Sequence, residues 1–189
     1  GMTNESQMPN TLEDLVRKHG APNCLFSDNA KVQIGKRVRD ILRLYCIKDF
    51  QCEPEYQHQN FAERKIGDVK RTCSGIMDRM GTPATFWLLC LFYVIFLLNH
   101  MASDALGGIT PLEDASGVKA DISPLLKFHW WEPILYQSDG TFPSDSREKS
   151  GTWVGIAENQ GDILTYLVLT DDTQEVIARS NVRSVNDPA

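Results

Sequence analysis

Apolar residues recur at steps of three and four along much of the first hundred residues, which is the period of an amphipathic helix. Leu12, Leu15 and Val16 predict a short helix over residues 12–19, ended by Gly20 and Pro22. Two longer stripes predict a helix over residues 31–45 and a third helix that Gly81 ends. Their members are Ile34, Val38, Ile41, Leu42 and Tyr45, then Ala62, Ile66, Val69, Cys73, Ile76, Met77 and Met80.

Short apolar runs predict strands in two regions of the chain. Residues 24–26 follow a turn signal and predict a buried strand that ends at Ser27 and Asp28, and residues 47–53 predict a second strand. Beyond the Pro- and Gly-punctuated residues 108–132, four β-rich runs occupy residues 133–137, 152–157, 163–169 and 175–179. Turn-forming segments separate the last three, which favours a meander or small barrel. The pattern therefore predicts an α/β region over residues 1–106, a connector over 107–132 and a small all-β domain over 133–189.

The run Phe86 to Leu98 is apolar at all 13 positions and predicts a helix from about Ala84 to Met101. A run of this length is more typical of a buried helix than of a membrane span, which needs about 20 residues. Charged residues are also absent from Met80 to Asn99, so a transmembrane helix remains an alternative. We expect a core or dimer element rather than a membrane span.

Charge is divided unevenly along the chain. Residues 1–100 carry 13 Lys and Arg against 11 Asp and Glu, whereas residues 101–189 carry 6 against 14. A polyanion such as DNA should therefore prefer the first part. The five cysteines form no C-x-x-C pair and have no histidine at zinc-finger spacing, which favours reduced core thiols and an intracellular protein. The opening GMTNESQMPN lacks a basic region followed by an apolar region, so no secretory signal is expected.

Two carboxylates stand where elements begin or end. Asp28 follows the predicted strand, and Glu63 lies in the first turn of the third helix. If that helix packs beside the strand, the two side chains can converge and bind Mg²⁺, which prefers oxygen ligands. Capping is the alternative: Asn60 can bond the Glu63 backbone N–H while Glu63 reaches back, and Asp28 can serve as a turn residue.

The segments GAPNCLFSDNAK and QNFAERKIGDVKR resemble the second half of the integrase core of copia-type LTR retrotransposons. The likeness continues through LLNHM and GITPLE, and then through a C-terminal stretch from Gly151 to Ser184 that is similar to the β-domain following that core. Together these segments cover about residues 15–186. The chain has one residue fewer than the family between Asn60 and Glu63 and lacks the usual glycine there.

The resemblance implies a ribonuclease-H-like α/β fold, incomplete at its N-terminus, followed by a small barrel-like β-domain. It implies that Asp28 and Glu63 are catalytic ligands for Mg²⁺ or Mn²⁺ in phosphoryl transfer to DNA. Only 27 residues precede Asp28, and Glu13 and Asp14 fall in a predicted helix, so the first catalytic aspartate is expected to be missing. We therefore expect weak metal binding and little strand transfer, and leave open whether this chain is itself an enzyme or a non-catalytic module that binds DNA or protein.

Polar residues around the two carboxylates complete the predicted site. DNA contacts are expected from Asn29, Lys31, Asn60, Arg64, Lys65, Lys70 and Arg71, although a solvated helix face explains the cations equally well. Trp130 and Trp131 could stack on bases, but packing is favoured. We expect DNA as partner, self-association through the apolar helix, no small-molecule cofactor and a nuclear location.

Overall fold

The computed structural model describes residues 7–27, 35–51, 61–138, 147–158, 160–162 and 164–187. It divides the chain into two compact units, residues 1–67 and 68–189, with the boundary inside the longest helix. The predicted connector over residues 107–132 and the domain limits derived from it remain predictions.

The first unit contains two helices, a pair of strands and the start of the longest helix. Helix α1 spans Met8–His19 and α2 spans Lys36–Leu44, while strands β1, Cys24–Ser27, and β2, Lys48–Gln51, pair in parallel. The apolar stripes of the two helices face each other, because Leu12 and Val16 pack against Val38, Ile41 and Leu42. The predicted stripes are thus confirmed at these five positions and were wrong at Leu15 and Tyr45, which are exposed. The part of the second prediction at residues 31–34 lies outside the described residues.

The first strand of the parallel pair differs from its prediction as a buried strand. Phe26 and Phe50 are about half exposed, and their rings lie 4.9 Å apart on the pair. All four residues of β2 are exposed. In β1, Ser27 is buried and Cys24 and Leu25 are half-buried. The predicted burial was therefore wrong at Phe26, although both predicted strands are present.

The longest helix, α3, spans Phe61–Met80 and ends where Gly81 adopts φ 65°. Its apolar stripe enters the core of the second unit through Val69, Cys73 and Ile76. The following helix, α4, spans Trp87–His100 after a 3₁₀ turn at Ala84–Phe86. A short helix, α5, spans Pro111–Ser116, where Thr110 caps its first turn by accepting a hydrogen bond from the Glu113 N–H.

Five antiparallel strands form the C-terminal sheet, in the order β6-β5-β4-β3-β7. They are β3 Pro133–Gln137, β4 Glu148–Ile156, β5 Tyr166–Thr170, β6 Val176–Arg179 and β7 Val182–Ser184. One face of the sheet builds a core around Trp153 and Tyr166, and the other face packs against α4 through Val154 and Leu169. The protein is therefore a mixed α/β chain with a five-stranded antiparallel sheet, and β3 to β6 confirm the predicted β-rich runs.

Four of the five cysteines are described, and they are free thiols with different surroundings. Cys73 and Cys90 are buried, Cys24 is half-buried, and Cys46 is exposed at the end of α2. Cys46 has φ 54° because it makes the left-handed turn that ends this helix. The prediction of core thiols is confirmed for Cys73 and Cys90 and was wrong for Cys46.

Candidate nucleic-acid and metal site

Strand β1 ends at Ser27, immediately before the first predicted ligand. Asp28 itself, together with Asn29, Lys31 and Asn60, lies outside the described residues. The Ser27 side chain is buried, and its hydroxyl finds no hydrogen-bond partner among the described residues. The convergence of Asp28 with Glu63 therefore stays a prediction.

Glu63 lies in the first turn of α3 and is exposed. A carboxylate at this position is stabilised by the backbone N–H groups that are unpaired at a helix N-terminus and by the positive end of the helix dipole. An exposed carboxylate can bind a cation or face DNA-bound metal, and it can equally serve as a helix-start residue. Its position is compatible with both interpretations of the sequence.

The four predicted DNA-contacting cations on α3 are all exposed, and they point in three directions. Lys70 is seven residues from Glu63 and shares its direction, whereas Arg64 and Arg71, also seven residues apart, share a second direction about 100° from the first. Lys65 comes one residue after Arg64 and therefore points about 100° away, because a helix turns once in 3.6 residues. Arg71 forms an ion pair with Asp68 on the same helix, which lowers its availability for a phosphate.

Helix α2 carries four further cations that lie outside the predicted site. Lys36, Arg37, Arg39 and Arg43 are all exposed. Arg37 lies 3.8 Å from Glu13 of α1, and Arg43 lies 3.9 Å from Asp40. The signal that could have identified them was their position between the buried residues of the apolar stripe, since non-stripe positions of an amphipathic helix face solvent.

Glu13 and Asp14 are confirmed as helical residues of α1, and both have nearby cations. Asp14 lies 3.4 Å from Arg17 on its own helix, while Glu13 faces Arg37. These pairs are largely exposed, and such pairs contribute about 0–1 kcal/mol each. Both carboxylates therefore form surface ion pairs, which is a common role for exposed acidic residues.

The described residues do not form a complete set of metal ligands. Within those residues, no three His, Cys, Asp or Glu side chains come together as a group that could hold a metal ion. Asp28, which the resemblance makes a ligand, is outside this set. Magnesium or manganese binding is therefore still a prediction that rests on the sequence motifs.

The buried Cys90 thiol is unlike a metal ligand or a nucleophile. Burial, followed by the hydrogen bond with Cys73, raises the pKa of Cys90 to about 12. The Cys90 Sγ lies 3.8 Å from the Cys73 carbonyl oxygen, between α3 and α4. A thiol that stays protonated at neutral pH is a poor nucleophile and metal ligand, so Cys90 contributes packing.

In the C-terminal sheet, acidic side chains are paired with cations. Asp172 accepts a hydrogen bond of 2.9 Å from Lys149, and this bond lowers the pKa of Asp172. Arg183 donates two hydrogen bonds to Glu148 in a bidentate arrangement. These cations are engaged by carboxylates, which agrees with the low DNA affinity expected of this acidic part of the chain.

Trp130 and Trp131 pack rather than present a stacking surface. Trp130 is 2% exposed, its indole N–H donates to the Thr82 hydroxyl at 2.9 Å, and its ring stacks on Tyr93. Trp131 is half-buried and lies against Phe86. The favoured interpretation of packing is confirmed for Trp130.

Comparisons with known proteins leave the family open. No family model matches the chain, and no curated protein matches it either. One similar solved structure is the "CryoEM structure of simian T-cell lymphotropic virus intasome in complex with PP2A regulatory subunit B56 gamma", with 13% identity and a TM-score of 0.49. The match covers 100% of this chain and 66% of that chain, so this chain spans just under two thirds of its neighbour. A likeness at this level does not establish a shared fold, and the α/β class stands on the strands and helices described above.

Proposed function

We propose that this chain is a DNA-binding part of an integrase-type protein of the copia class, in which Asp28 and Glu63 contribute to a site for Mg²⁺ or Mn²⁺. The main support for the proposal is that the sequence motifs fall at the expected end of a strand and the expected start of a helix. Strand β1 ends directly before Asp28, and α3 begins with Glu63 in its first turn, followed by four exposed cations. The quoted motifs of the resemblance supply the rest of its support.

The residues suggest a division of labour on DNA. Lys70 and Arg64 would contact phosphates, and such contacts position the duplex but read no sequence. Glu63 and Asp28 would supply oxygen ligands for the divalent ion, which in the family stabilises the attacking and leaving oxygens of the phosphodiester. A carboxylate next to bound DNA needs that ion, because without it the negative charges repel.

Salt-dependent DNA binding tests the phosphate contacts. A fluorescent duplex is titrated with the full chain at a series of salt concentrations, and Lys70→Ala is compared with Lys119→Ala, an exposed lysine in the region after α5. Loss of one phosphate contact should reduce the slope of log affinity against log salt by about 1. We expect this change for Lys70→Ala and none for Lys119→Ala; equal slopes for both variants and the parent chain would contradict the role of α3.

The response of DNA affinity to Mg²⁺ distinguishes a metal-ligand role of Glu63 from a helix-capping role. If Glu63 is a ligand, Glu63→Gln and Asp28→Asn should each remove the gain in DNA affinity that Mg²⁺ produces, with small effects on folding. If Glu63 only caps the helix, Gln can make the same contact, so Glu63→Gln should cost at most about 0.3–1 kcal/mol of unfolding free energy through the lost charge and should leave the response to Mg²⁺ unchanged. Robust metal-dependent nicking or joining of DNA that Glu63→Gln abolishes would show a complete active site and overturn our expectation of little strand transfer.

A second candidate is a non-catalytic DNA-binding module, and α2 favours it. This helix has four exposed cations and a single acidic residue, Asp40. Phosphate binding by these cations does not require the predicted metal site of Asp28 and Glu63. This function predicts affinity that falls with salt and is indifferent to divalent ions. Arg39→Ala should then weaken binding in the presence and absence of Mg²⁺ alike.

A further inference from the structure

Strand β6 forms one edge of the C-terminal sheet, and part of its backbone faces outward. Among the described strands, β6 pairs with β5 alone. The Thr170 N–H donates to the Glu175 carbonyl oxygen at 2.9 Å, which fixes the alternation of hydrogen-bonded pairs between the two strands. By this alternation, the backbone N–H and C=O groups of Val176 and Ala178 point away from β5, toward the free edge.

The side chains of the same two residues face helix α4. Val176 and Ala178, together with Phe92 and Ile95 of α4, line a groove of about 390 Å³. This volume is within the range of about 300–1,000 Å³ that is typical of ligand sites. Ile177, which lies between them, packs on the opposite face of the sheet. The outward-facing backbone and the apolar groove are therefore side by side, between a strand and a helix.

The groove carries a negative charge. Among the described residues that line it, Glu158 is the one charged side chain, and most of the others are apolar. Glu158 is exposed and follows strand β4. A carboxylate beside an apolar groove favours an occupant that combines apolar side chains with a basic group.

We propose that the groove between α4 and β6 binds an extended, basic peptide segment of a partner protein, which adds a strand to the edge of β6. Main-chain hydrogen bonds to Val176 and Ala178 hold the peptide, and every second side chain of the peptide enters the groove. Glu158 pairs with a Lys or Arg of the peptide. A helix or a lipid tail fills the groove without satisfying the outward N–H and C=O groups, so an extended backbone fits the site better. This interaction is additional to the proposed DNA binding.

The two edges of the sheet differ in a way that favours β6 as the docking strand. On the other edge, Arg183 of β7 donates two hydrogen bonds to Glu148 of β4. Charged side chains on an edge strand discourage pairing with a further strand. The first three residues of β6 are apolar, and its one cation, Arg179, donates a hydrogen bond of 2.9 Å to the Ala178 carbonyl oxygen. The outward groups of Val176 and the Ala178 N–H remain for a peptide.

The geometry also favours a peptide over a lipid bilayer at this side of α4. Within the described residues, the stretch Ala84–Leu106 is long and apolar enough to cross a membrane, with mean hydropathy 1.8 and 11% of the window buried. The continuous α-helix inside it has only 14 residues, however, which makes it about 21 Å long. This is shorter than the hydrocarbon core of about 30 Å, and α4 already packs on the sheet through Cys90 and Val94.

Selection of displayed random peptides on the full chain tests the proposal. We expect enriched peptides with apolar residues at every second position and at least one Lys or Arg. A selected peptide should bind Ala178→Pro about tenfold or more weakly, because its own carbonyl group is left unpaired. Proline removes the outward N–H of residue 178 and none of the hydrogen bonds to β5, so the variant should keep the parent's circular dichroism. The matched control is Ala178→Ser, which retains the N–H and should bind like the parent.

A charge reversal tests the role of Glu158. Glu158→Lys should weaken binding of the selected peptide roughly two- to fivefold. Asp114→Lys makes the same change of charge at an exposed position of α5, away from the groove, and should have no effect. Equal affinities of these two variants would contradict the selection of a basic peptide by Glu158.

Backbone methylation of the selected peptide keeps the test decisive if Ala178→Pro fails to fold. Methyl groups on the nitrogens of every second residue should abolish binding to the parent chain in one of the two alternating patterns and preserve it in the other. Equal binding of both patterns, parental affinity of a folded Ala178→Pro, enrichment of peptides with helical apolar spacing, or enrichment of none would each overturn the proposal. A parent chain that binds no peptide and forms a dimer that Ala178→Pro dissociates would also overturn it, in favour of a second copy at this edge.

Discussion

The buried indole of Trp130 gives the clearest prediction of stability. Trp130→Phe removes the hydrogen bond to Thr82, whose hydroxyl is itself buried, and loss of the donor should cost about 1–3 kcal/mol. The smaller ring leaves a cavity next to Tyr93, which adds about 1 kcal/mol. We expect a total loss of about 2–4 kcal/mol. For a chain of this size, that lowers the melting temperature by roughly 5–15 °C.

Thermal and urea unfolding measure this loss, with Trp87→Phe as the matched control. Trp87 is 56% exposed, so its replacement should change stability by less than about 0.5 kcal/mol. Thr82→Val removes the other partner, and a double-mutant cycle with Trp130→Phe should give a coupling of about 1 kcal/mol. DNA affinity of the folded variants should match that of the parent. Trp130→Phe with parental stability and weakened DNA binding would refute the packing role and support base stacking.

Three further predictions concern the sheet and α3. A Cβ on Gly151 would lie 2.7 Å from a Val168 methyl and 2.8 Å from a backbone oxygen, so Gly151→Ala should destabilise the protein by about 1–3 kcal/mol. Gly75→Ala in α3, where nothing lies within 4 Å of the added Cβ, should instead stabilise it by about 0.5–1 kcal/mol. Equal effects of the two substitutions in urea unfolding would contradict this. The buried Tyr166 hydroxyl has no hydrogen-bond partner among the described residues, so Tyr166→Phe should be neutral or stabilising in the same assay; a loss above about 1 kcal/mol would reveal a partner. Although partial burial opposes it, hydrogen bonds from the His129 N–H and the Ser184 hydroxyl lower the pKa of Glu132. Its stabilising contribution is therefore present above about pH 4.5 and is lost as pH falls through the lowered value, so Glu132→Gln should flatten the acid limb of the stability curve.

The helices were predictable because their apolar residues are periodic over several turns. The stripe of α3 and its end at Gly81 agree with the structure, and so do the buried positions of α2. Helix α1 begins at Met8, earlier than predicted, because Pro9 is tolerated in a first helical turn. The periodic apolar residues therefore predicted the presence of a helix more accurately than they predicted the residue at which it begins.

The strands show what local sequence leaves out. The short apolar run that predicts β1 identifies a strand but does not reveal whether anything covers it, and Phe26 is in fact exposed. Strand β4 extends back to Glu148 through polar residues, and β7 is only three residues long, so neither feature gave an apolar signal. Their pairing depends on neighbours in the sheet, which a single sequence does not specify.

The candidate site shows the same limit. Motif order could place Asp28 after a strand and Glu63 at a helix start, and β1 and α3 lie where those motifs predicted. Spacing alone separates Lys65 from the side of α3 that carries Glu63, but the exposure of these side chains depends on how the helix packs. Exposure of the α2 cations likewise depends on which face packs against α1.

Paramagnetic Mn²⁺ provides the most direct measurement of the central claim, that Asp28 and Glu63 share a metal ion. The full chain is labelled with ¹⁵N, and broadening of amide signals is followed as Mn²⁺ is added. We expect the signals of Ser27 and Glu63 to broaden together, and either Glu63→Gln or Asp28→Asn to abolish the broadening at both places. Broadening confined to one of the two residues, or unchanged in both variants, would contradict a shared site.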